Sequence, residues 1–171
     1  MNEPFAYCPR CRETLRPVEA EEGRIRMTCP ACGFVDYHNP APSAGVLLRG
    51  GDGRILLVRR RFDPFRGLWT IPSGYIEYDE RVRETAAREM LEETGLEVAL
   101  GDVVDVVSCH DDPRGNTLFV VYEATVTGGE AAAGDDAEEV GWFAPDDLPP
   151  IAFACQRRVL SKVLGVEIPA P

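Results

Sequence analysis

Long apolar runs are absent from this 171-residue sequence. Although 44% of the residues are hydrophobic, no uninterrupted apolar stretch reaches the roughly 18 residues that a membrane-spanning helix needs. The N-terminal segment MNEPFAYCPRC also lacks the basic region followed by an apolar one that marks a secretory signal. We therefore expect a cytoplasmic protein with reduced thiols and no membrane partner.

An excess of positive charge is missing as well. The formal net charge is −11, and residues 1–40 contain five arginines and six acidic residues, so nearly all of the negative excess belongs to residues 41–171. Free nucleic acids are bound mainly by Lys and Arg side chains that neutralise phosphates, so this composition argues against a nucleic-acid partner. A small polyphosphate substrate is compatible, because bound metal ions can supply local positive charge.

Cysteines are few, but four of the six are regularly spaced. Cys8 and Cys11 form one C-x2-C pair, and Cys29 and Cys32 form a second after seventeen intervening residues. Two such pairs are typical of a tetrahedral zinc site with four thiolate ligands, whereas two disulfides or a redox dithiol are the alternatives. A segment of about 35 residues has too little core to fold alone, so a structural metal would stabilise it.

The other two cysteines, Cys109 and Cys155, belong to no such pattern. We interpret them as ordinary buried apolar residues. His38 follows the second cysteine pair in a proline-containing linker. Because four cysteines already complete a zinc shell, we interpret His38 as a structural or surface residue.

The most informative stretch is residues 74–96, GYIEYDERVRETAAREMLEETGL. Glu89, Glu92 and Glu93 are spaced i, i+3 and i+4, which places three carboxylates on one face of a helix. Like charges at this spacing destabilise a helix by roughly 0.2–0.5 kcal/mol per pair. A hard dication such as Mg²⁺ or Mn²⁺ would neutralise them. For the triplet alone, a solvated glutamate-rich face is the alternative interpretation.

The spacing of the whole stretch resembles the Nudix box, G-x5-E-x7-R-E-U-x-E-E-x-G-U, where U is a bulky apolar residue. All nine specified positions are matched, by Gly74, Glu80, Arg88, Glu89, Met90, Glu92, Glu93, Gly95 and Leu96. The resemblance implies that Glu89, Glu92, Glu93 and the backbone carbonyl of Gly74 bind Mg²⁺ or Mn²⁺. It also implies that Arg88 orients a catalytic glutamate and pairs with Glu80.

The general base is left open by the sequence. The resemblance places it either in the box, here Glu93, or on a later loop, where Glu138 and Glu139 follow an acidic segment. We favour Glu93, because a base must reach the attacking water. An exposed surface charge is the alternative interpretation of Glu138 and Glu139.

The box also predicts its own helix. Asp79 is the expected N-cap, and Gly95 is expected to end the helix in a left-handed conformation. Five apolar residues at helical spacing are expected in the core: Val82, Ala86, Ala87, Met90 and Leu91.

Strand patterns surround the box. Strands are expected at residues 44–48, 54–59, 69–71, 98–100, 103–108, 118–127 and 140–143, with a hairpin turn at 50–53 and a closing helix at 154–164. This order is similar to the α/β/α sandwich of Nudix hydrolases. We therefore expect an α/β Nudix domain with a mixed sheet at residues 41–171, preceded by a small zinc-ribbon β subdomain at residues 1–40.

Within that family the chain is similar to zinc-ribbon members such as ADP-ribose, FAD and NADH pyrophosphatases. Its Asp112-Pro113-Arg114-Gly115 segment resembles one in ADP-ribose pyrophosphatases, whereas the proline-rich array that marks NADH pyrophosphatases after the box is missing. The resemblance implies a divalent-metal-dependent hydrolase that cleaves the pyrophosphate bond of a nucleoside diphosphate linked to another moiety, with water as nucleophile. ADP-ribose is the first expected substrate, followed by FAD or NADH.

Two other functions remain open. One is a nucleoside triphosphate pyrophosphohydrolase, and the other is a non-catalytic sensor of ADP-ribose-like ligands. The intact glutamates argue against the sensor. The resemblance further implies a homodimer.

Overall fold

The computed structural model describes residues 4–20 and 22–171. The chain divides into two units, the first ending at Pro40 and the second spanning Ala41–Pro171. In the described part of the chain, no helix combines the length and the apolar character needed to traverse a bilayer.

The first unit is a small antiparallel sheet. Its strands β1 (Arg16–Glu19), β2 (Ile25–Thr28) and β3 (Val35–Asp36) are neighbours in that order. Its described core consists of Cys8, Leu15 and Cys29, with Met27 and Phe34 packed against them. Since two of the three fully buried residues are cysteines, the apolar core of this unit is too small to hold it together alone.

The second unit contains seven strands and two helices: β4 (Ala41–Leu48), β5 (Ile55–Arg60), β6 (Trp69–Thr70), β7 (Ser73–Tyr75), α1 (Val82–Thr94), β8 (Leu96–Cys109), β9 (Thr117–Gly129), β10 (Ala137–Phe143) and α2 (Ala154–Leu164). One sheet has the order β10-β5-β6 and is antiparallel. The other has the order β7-β4-β9-β8 and is mixed, because β4 and β9 are parallel.

Strands β4 and β5 are covered on both faces. Leu47 and Leu57 belong to one core cluster, which includes Val159 and Leu160 of α2. Their neighbours in the strands, such as Val46 and Leu56, belong to a second cluster with Ala86 and Met90 of α1. Successive residues of a strand point to opposite faces, so the two helices lie on opposite sides of the sheets. The predicted α/β/α sandwich with a mixed sheet is confirmed.

The predicted box helix is confirmed, but it begins later than expected. Its N-cap is Arg81, whose backbone nitrogen donates to Glu84 Oε2 at 3.0 Å. Asp79 lies in the preceding turn, so the N-cap prediction was wrong, because a glutamate inside the first turn satisfies the capping hydrogen bond. Gly95 ends the helix with φ of 71°, as predicted.

Two of the five apolar helix residues, Ala87 and Leu91, lie outside the core clusters, whereas Val82 packs against the cluster of Ala86 and Met90. Ala86 and Met90 are fully buried, whereas Leu91 is 47% exposed. The prediction for Leu91 was wrong because one residue of α-helix rotates a side chain by about 100°, which turns Leu91 away from the face that carries Met90.

The turn at residues 50–53 is confirmed, but the hairpin is not. Gly50 N donates to Arg54 O at 2.8 Å, and Arg49 and Ile55 form an isolated antiparallel bridge. Beyond it, β4 and β5 separate into different sheets. The expected strands at 98–100 and 103–108 are also a single strand, β8, with register shifts against β9 between Leu100 and Val103.

Cys109 and Cys155 form a disulfide, with 5.1 Å between their Cα atoms. The prediction that they are ordinary buried residues was therefore wrong, although both are buried. They are 46 residues apart in sequence. Sequence spacing alone does not show that the end of β8 meets the first turn of α2.

Candidate active site

A cleft of about 260 Å³ in the second unit collects most of the predicted site residues. Its acidic residues are Glu77, Glu89, Glu92, Glu93, Asp112, Asp135 and Asp136, and its arginines are Arg60, Arg88 and Arg114. Gly74 lines the same cleft. The charges come from α1 and the segment before it, from the end of β5 and from the loops after β8 and β9, so the fold brings together segments that are distant in sequence.

The three box glutamates differ in exposure. Glu89 and Glu93 are buried, at 9% and 6% exposure, because α1 turns their face towards β7 and the cleft. The side chain of Glu92 is 43% exposed. Two carboxylates are thus largely removed from water, which disfavours their charged forms.

Arg88 neutralises part of this negative charge. Its Nε and Nη2 donate to the two carboxylate oxygens of Glu80, at 2.6 and 2.9 Å. Its Nη1 donates to Glu89 Oε1 at 2.7 Å and to Glu92 Oε2 at 2.8 Å. The predicted pairing of Arg88 with Glu80 is present, and one guanidinium group fixes the rotamers of three glutamates.

Glu93 is held from the other side by the strand that leads into the box. Ser73 N donates to Glu93 Oε2 at 2.9 Å, which leaves Oε1 without a hydrogen-bond partner among the described residues. Gly74 lies in β7, and a side chain at this position would collide with the carboxylate of Glu89. Gly74 is therefore required so that Glu89 can approach the backbone closely.

Burial and neighbouring charges shift the acidities of these groups. Burial raises the pKa of Glu93 to about 8, and the nearby Glu89 and Asp136 add to that rise. Burial also raises the pKa of Glu89, although the hydrogen bond from Arg88 opposes it. In contrast, the hydrogen bond from Arg88 lowers the pKa of Glu80 to about 2. The positive charge near Glu89 and Glu93 is therefore too small to offset their burial, whereas Arg88 stabilises the charged form of Glu80.

This donor set fits a hard dication. Mg²⁺ and Mn²⁺ prefer carboxylate and backbone carbonyl oxygens, which Glu89, Glu92, Glu93 and Gly74 supply around one cleft. The raised pKa values of the two buried glutamates are what is expected of anionic ligands without their cation, since a bound dication favours the ionised form.

The loop between β9 and β10 contributes two acids that the sequence analysis missed. Ala132 N donates to Thr94 O at 2.9 Å, and Gly134 N donates to Glu93 O at 3.2 Å. These bonds satisfy free carbonyls at the end of α1 and bring Asp135 and Asp136 to the cleft. The acidic run at residues 135–139 was a usable signal, but its first two residues, and not the last two, reach the cleft.

Glu138 and Glu139, the loop candidates for the general base, lie elsewhere. Their carboxylates are 3.6 and 3.0 Å from nitrogens of Arg59, and both side chains are about half exposed. Neither lines the cleft. The geometry favours Glu93 over both as the base.

Helix α2 supplies further cleft residues that no sequence pattern indicated. Gln156 is buried, and its Oε1 accepts hydrogen bonds from Ile71 N and Thr70 Oγ1, both at 2.8 Å. Asp111 Oδ2 accepts from Ala154 N at 2.7 Å and so anchors the helix start. Gln156 thereby fixes the backbone just before Ser73, which itself binds Glu93.

The four paired cysteines meet in the first unit. The Sγ atoms of Cys8, Cys11, Cys29 and Cys32 all lie within 4.8 Å of one another, and three of the separations are 3.4–3.6 Å. A tetrahedron with Zn–S bonds of about 2.3 Å has sulfur–sulfur edges of about 3.8 Å. The tetrad therefore fits a single zinc ion, and the described metal-ligand cluster does not include His38.

Comparison with known proteins identifies relatives of this chain. The model of the NUDIX domain matches residues 39–163. An ADP-ribose pyrophosphatase from Methanocaldococcus jannaschii is 40% identical over 118 residues, which cover 68% of this chain and 69% of that protein. A NUDIX hydrolase from Nitrosomonas europaea of known crystal structure has a TM-score of 0.76 and 26% identity, with 95% of both chains covered.

This chain is also similar to proteins that are about twice as long as the matched region. The NAD-capped RNA hydrolase NudC of Stutzerimonas stutzeri is 32% identical over 146 residues, which cover 85% of this chain but 50% of that protein. This chain thus spans about half the length of that relative. Because the match covers 85% of the chain, it extends into the cysteine-rich first unit.

Proposed function

The chain belongs to the NUDIX domain family, and from that membership we propose that it hydrolyses the pyrophosphate bond of a nucleoside diphosphate linked to a second moiety, with ADP-ribose as the first substrate. The proposal places the catalytic centre at Glu89, Glu92 and Glu93. The observation that carries it is the pair of buried box carboxylates, Glu89 and Glu93, beside Gly74 in a charged cleft. The ADP-ribose pyrophosphatase relative supports the choice of substrate.

We assign the metals by their donor sets. Glu89, Glu92, Glu93 and the carbonyl of Gly74 would hold Mg²⁺ or Mn²⁺, and the four thiolates of the first unit would hold a structural Zn²⁺. When bound, the dications in the cleft supply positive charge at the phosphates and acidify the attacking water.

The residues of the chain then have separate tasks. Arg88 fixes Glu80, Glu89 and Glu92 and, because a guanidinium does not lose its proton in proteins, it does not act as a base. Ser73 N holds one oxygen of Glu93, so that the other oxygen faces the cleft and accepts the proton of water. The new P–O bond forms as the bridging P–O bond breaks, and ADP-ribose yields AMP and ribose 5-phosphate.

The experiment is a substrate panel with product identification. ADP-ribose, FAD, NADH and nucleoside triphosphates are incubated with the protein and Mg²⁺ or Mn²⁺, and the products are separated. We expect monophosphates from ADP-ribose. Release of inorganic pyrophosphate from triphosphates as the fastest reaction would instead establish the triphosphate pyrophosphohydrolase. No turnover of any compound would leave the sensor as the better description.

A matched pair of variants tests the base. Glu93→Gln should lower kcat by about 100-fold or more, as expected for loss of a general base, whereas Glu139→Gln should leave kcat within about twofold, because its partner is Arg59 at the surface. If Glu139→Gln were the damaging change, the base would have to be assigned to the loop.

A second candidate substrate is an NAD-linked RNA end. The match to NudC, which extends into the first unit, favours adding NAD-capped RNA to the panel. Cleavage of capped RNA faster than of ADP-ribose would make RNA a partner, contrary to the expectation from net charge.

A homodimer and a cytoplasmic location complete the proposal. Light scattering of the purified protein tests the first. The expectation of reduced thiols was wrong for Cys109 and Cys155, which form a disulfide. Because disulfides are rare in the reducing cytosol, finding this pair bridged in cells would contradict the cytoplasmic location, and finding it reduced would support it.

A further inference from the structure

Arg60 occupies an unusual position at the end of β5. Its guanidinium group is half-buried and lines the cleft. Nε donates to Pro64 O at 2.8 Å, and the group lies 5.1 Å from the centre of the Phe153 ring. Phe153 in turn packs edge-on against Phe65, with 5.2 Å between ring centres. The side chain is therefore held in one direction by a carbonyl and an aromatic face.

No carboxylate lies within ion-pair distance of Arg60 among residues 4–20 and 22–171. The neighbouring Arg59 pairs with Glu138 and Glu139, and the other two cleft arginines, Arg88 and Arg114, also have carboxylate partners. The terminal nitrogens of Arg60 have no hydrogen-bond partner in the described part of the chain. Burial lowers the pKa of Arg60, and the charge of Arg114 lowers it further, whereas the charges of Glu93, Asp112 and Asp136 offset only part of this effect.

A desolvated cation without a partner costs free energy unless a ligand supplies the counter-charge. Arg60 lines an open cleft, where an anionic ligand could supply the counter-charge that no described carboxylate provides at ion-pair distance. A guanidinium group binds a phosphate through two parallel hydrogen bonds, which a lysine cannot reproduce. Nε already donates to Pro64 O, so the two terminal nitrogens remain for the ligand.

We propose that Arg60 binds a non-bridging oxygen pair of one phosphate of the substrate, and that this contact makes the cleft selective for diphosphates over monophosphates. Glu89, Glu92 and Glu93 would hold the dications that neutralise one phosphate, and Arg60 holds the other phosphate directly. The identity of the ligand as a diphosphate rests on the proposed function, whereas anion binding by Arg60 does not.

The test compares Arg60→Gln with Arg59→Gln, its neighbour in sequence. Binding of inorganic pyrophosphate to the purified proteins is measured by calorimetry with Mg²⁺ present, so no turnover is needed. We expect Arg60→Gln to weaken binding by about 10- to 100-fold, as for loss of charged hydrogen bonds. Arg59→Gln should change it by less than about twofold. Tryptophan fluorescence melts confirm that both variants are folded.

Two outcomes overturn the proposal: pyrophosphate binding by Arg60→Gln within about twofold of the unchanged protein, or equal losses in both variants, which would indicate general electrostatics. If Arg60→Gln does not fold, Arg60→Lys decides. It keeps the charge but lacks the fork, so binding weaker than in Arg59→Gln supports the proposal, and unchanged binding overturns it. If no compound of the substrate panel is hydrolysed, the proposed function is wrong, but the pyrophosphate-binding comparison still tests the role of Arg60.

Discussion

One guanidinium group organises the acidic side of the cleft. Arg88 contacts Glu80, Glu89 and Glu92 within 2.6–2.9 Å. The glutamates at i, i+3 and i+4 would repel one another on a bare helix. Here the arginine at the position before Glu89 offsets part of that repulsion, and the proposed dications would offset the rest. Both carboxylate oxygens of Glu80 accept hydrogen bonds from Arg88, so the charge of Glu80 is neutralised within the folded site.

The pH dependence of stability should therefore reveal Glu80. Its pKa falls from 4.5 to about 2 on folding, chiefly through the hydrogen bond from Arg88. A lowered pKa stabilises the folded state fully above pH about 4.5, and this contribution disappears as the pH falls towards about 2. Glu80→Gln should be less stable than the unchanged protein at neutral pH, and the difference should shrink across this range.

Urea unfolding followed by tryptophan fluorescence measures that difference. Trp69 and Trp142 both belong to the second unit, so loss of metal from the cysteine tetrad in acid does not enter the signal directly. Glu167→Gln, at an exposed position, is the control and should show no such pH-dependent difference. A constant deficit for Glu80→Gln from neutral to acid pH would contradict the assignment.

Residues within one continuous motif were predictable, and residues brought together by the fold were not. The spacing of Glu89, Glu92 and Glu93 fixes their common face because helical geometry is local. The acidic run that contains Asp136 was visible in the sequence, but Asp136 and Gln156 reach the same cleft through loop hydrogen bonds and helix docking, which no local pattern encodes. Arg60 was visible in the sequence, but its lack of a carboxylate partner appears only in the structure.

At the scale of elements, the Cys109–Cys155 disulfide joins β8 to the first turn of α2. It lines the same cleft as Phe153 and Gln156, so it fixes the helix that carries them. Crosslinking two residues 46 positions apart restricts the unfolded chain and should stabilise the fold by about 2–4 kcal/mol.

Reduction should remove that stabilisation. We expect the free energy of unfolding, measured in urea by tryptophan fluorescence, to fall by about 2–4 kcal/mol when a phosphine reductant is added. The double variant Cys109→Ala/Cys155→Ala should not respond to the reductant. Equal sensitivity of both proteins would mean that the reductant acts elsewhere, and no response of the unchanged protein would mean that the bridge does not form.

Element prediction succeeded where sequence periodicity and end signals agreed. Helix α2 has the predicted bounds, Ala154–Leu164, and ends at Gly165 with φ of 70°. The prediction of elements failed where a local turn signal was taken as evidence for strand pairing. The glycine-rich turn after β4 forms, yet β4 and β5 are each buried on both faces and join different sheets.

At the scale of the whole molecule, the two units are stabilised internally by different interactions. The second unit has two large apolar clusters. In the first unit, two of the three buried residues of the described core are cysteines. The turns at the two cysteine pairs of the first unit are alike. Arg12 N donates to Cys8 O at 2.9 Å, and Gly33 N donates to Cys29 O at 3.0 Å. The sequence analysis expected a zinc ribbon from the paired cysteines and a second domain from the box and the strand patterns, which are all local signals.

Removal of zinc should therefore affect one unit and not the other. The purified protein should contain one zinc per chain by elemental analysis, and before chelation its tetrad thiols should react slowly with a thiol reagent. A zinc-selective chelator should make the four free thiols, Cys8, Cys11, Cys29 and Cys32, fully reactive, because the metal supplies the folding free energy of this segment. The tryptophan-reported unfolding of the second unit should keep its midpoint, and activity with added Mg²⁺ should persist. Iron in place of zinc would change the assignment of the metal, and four thiols that react at once in the untreated protein would contradict a metal-bound tetrad.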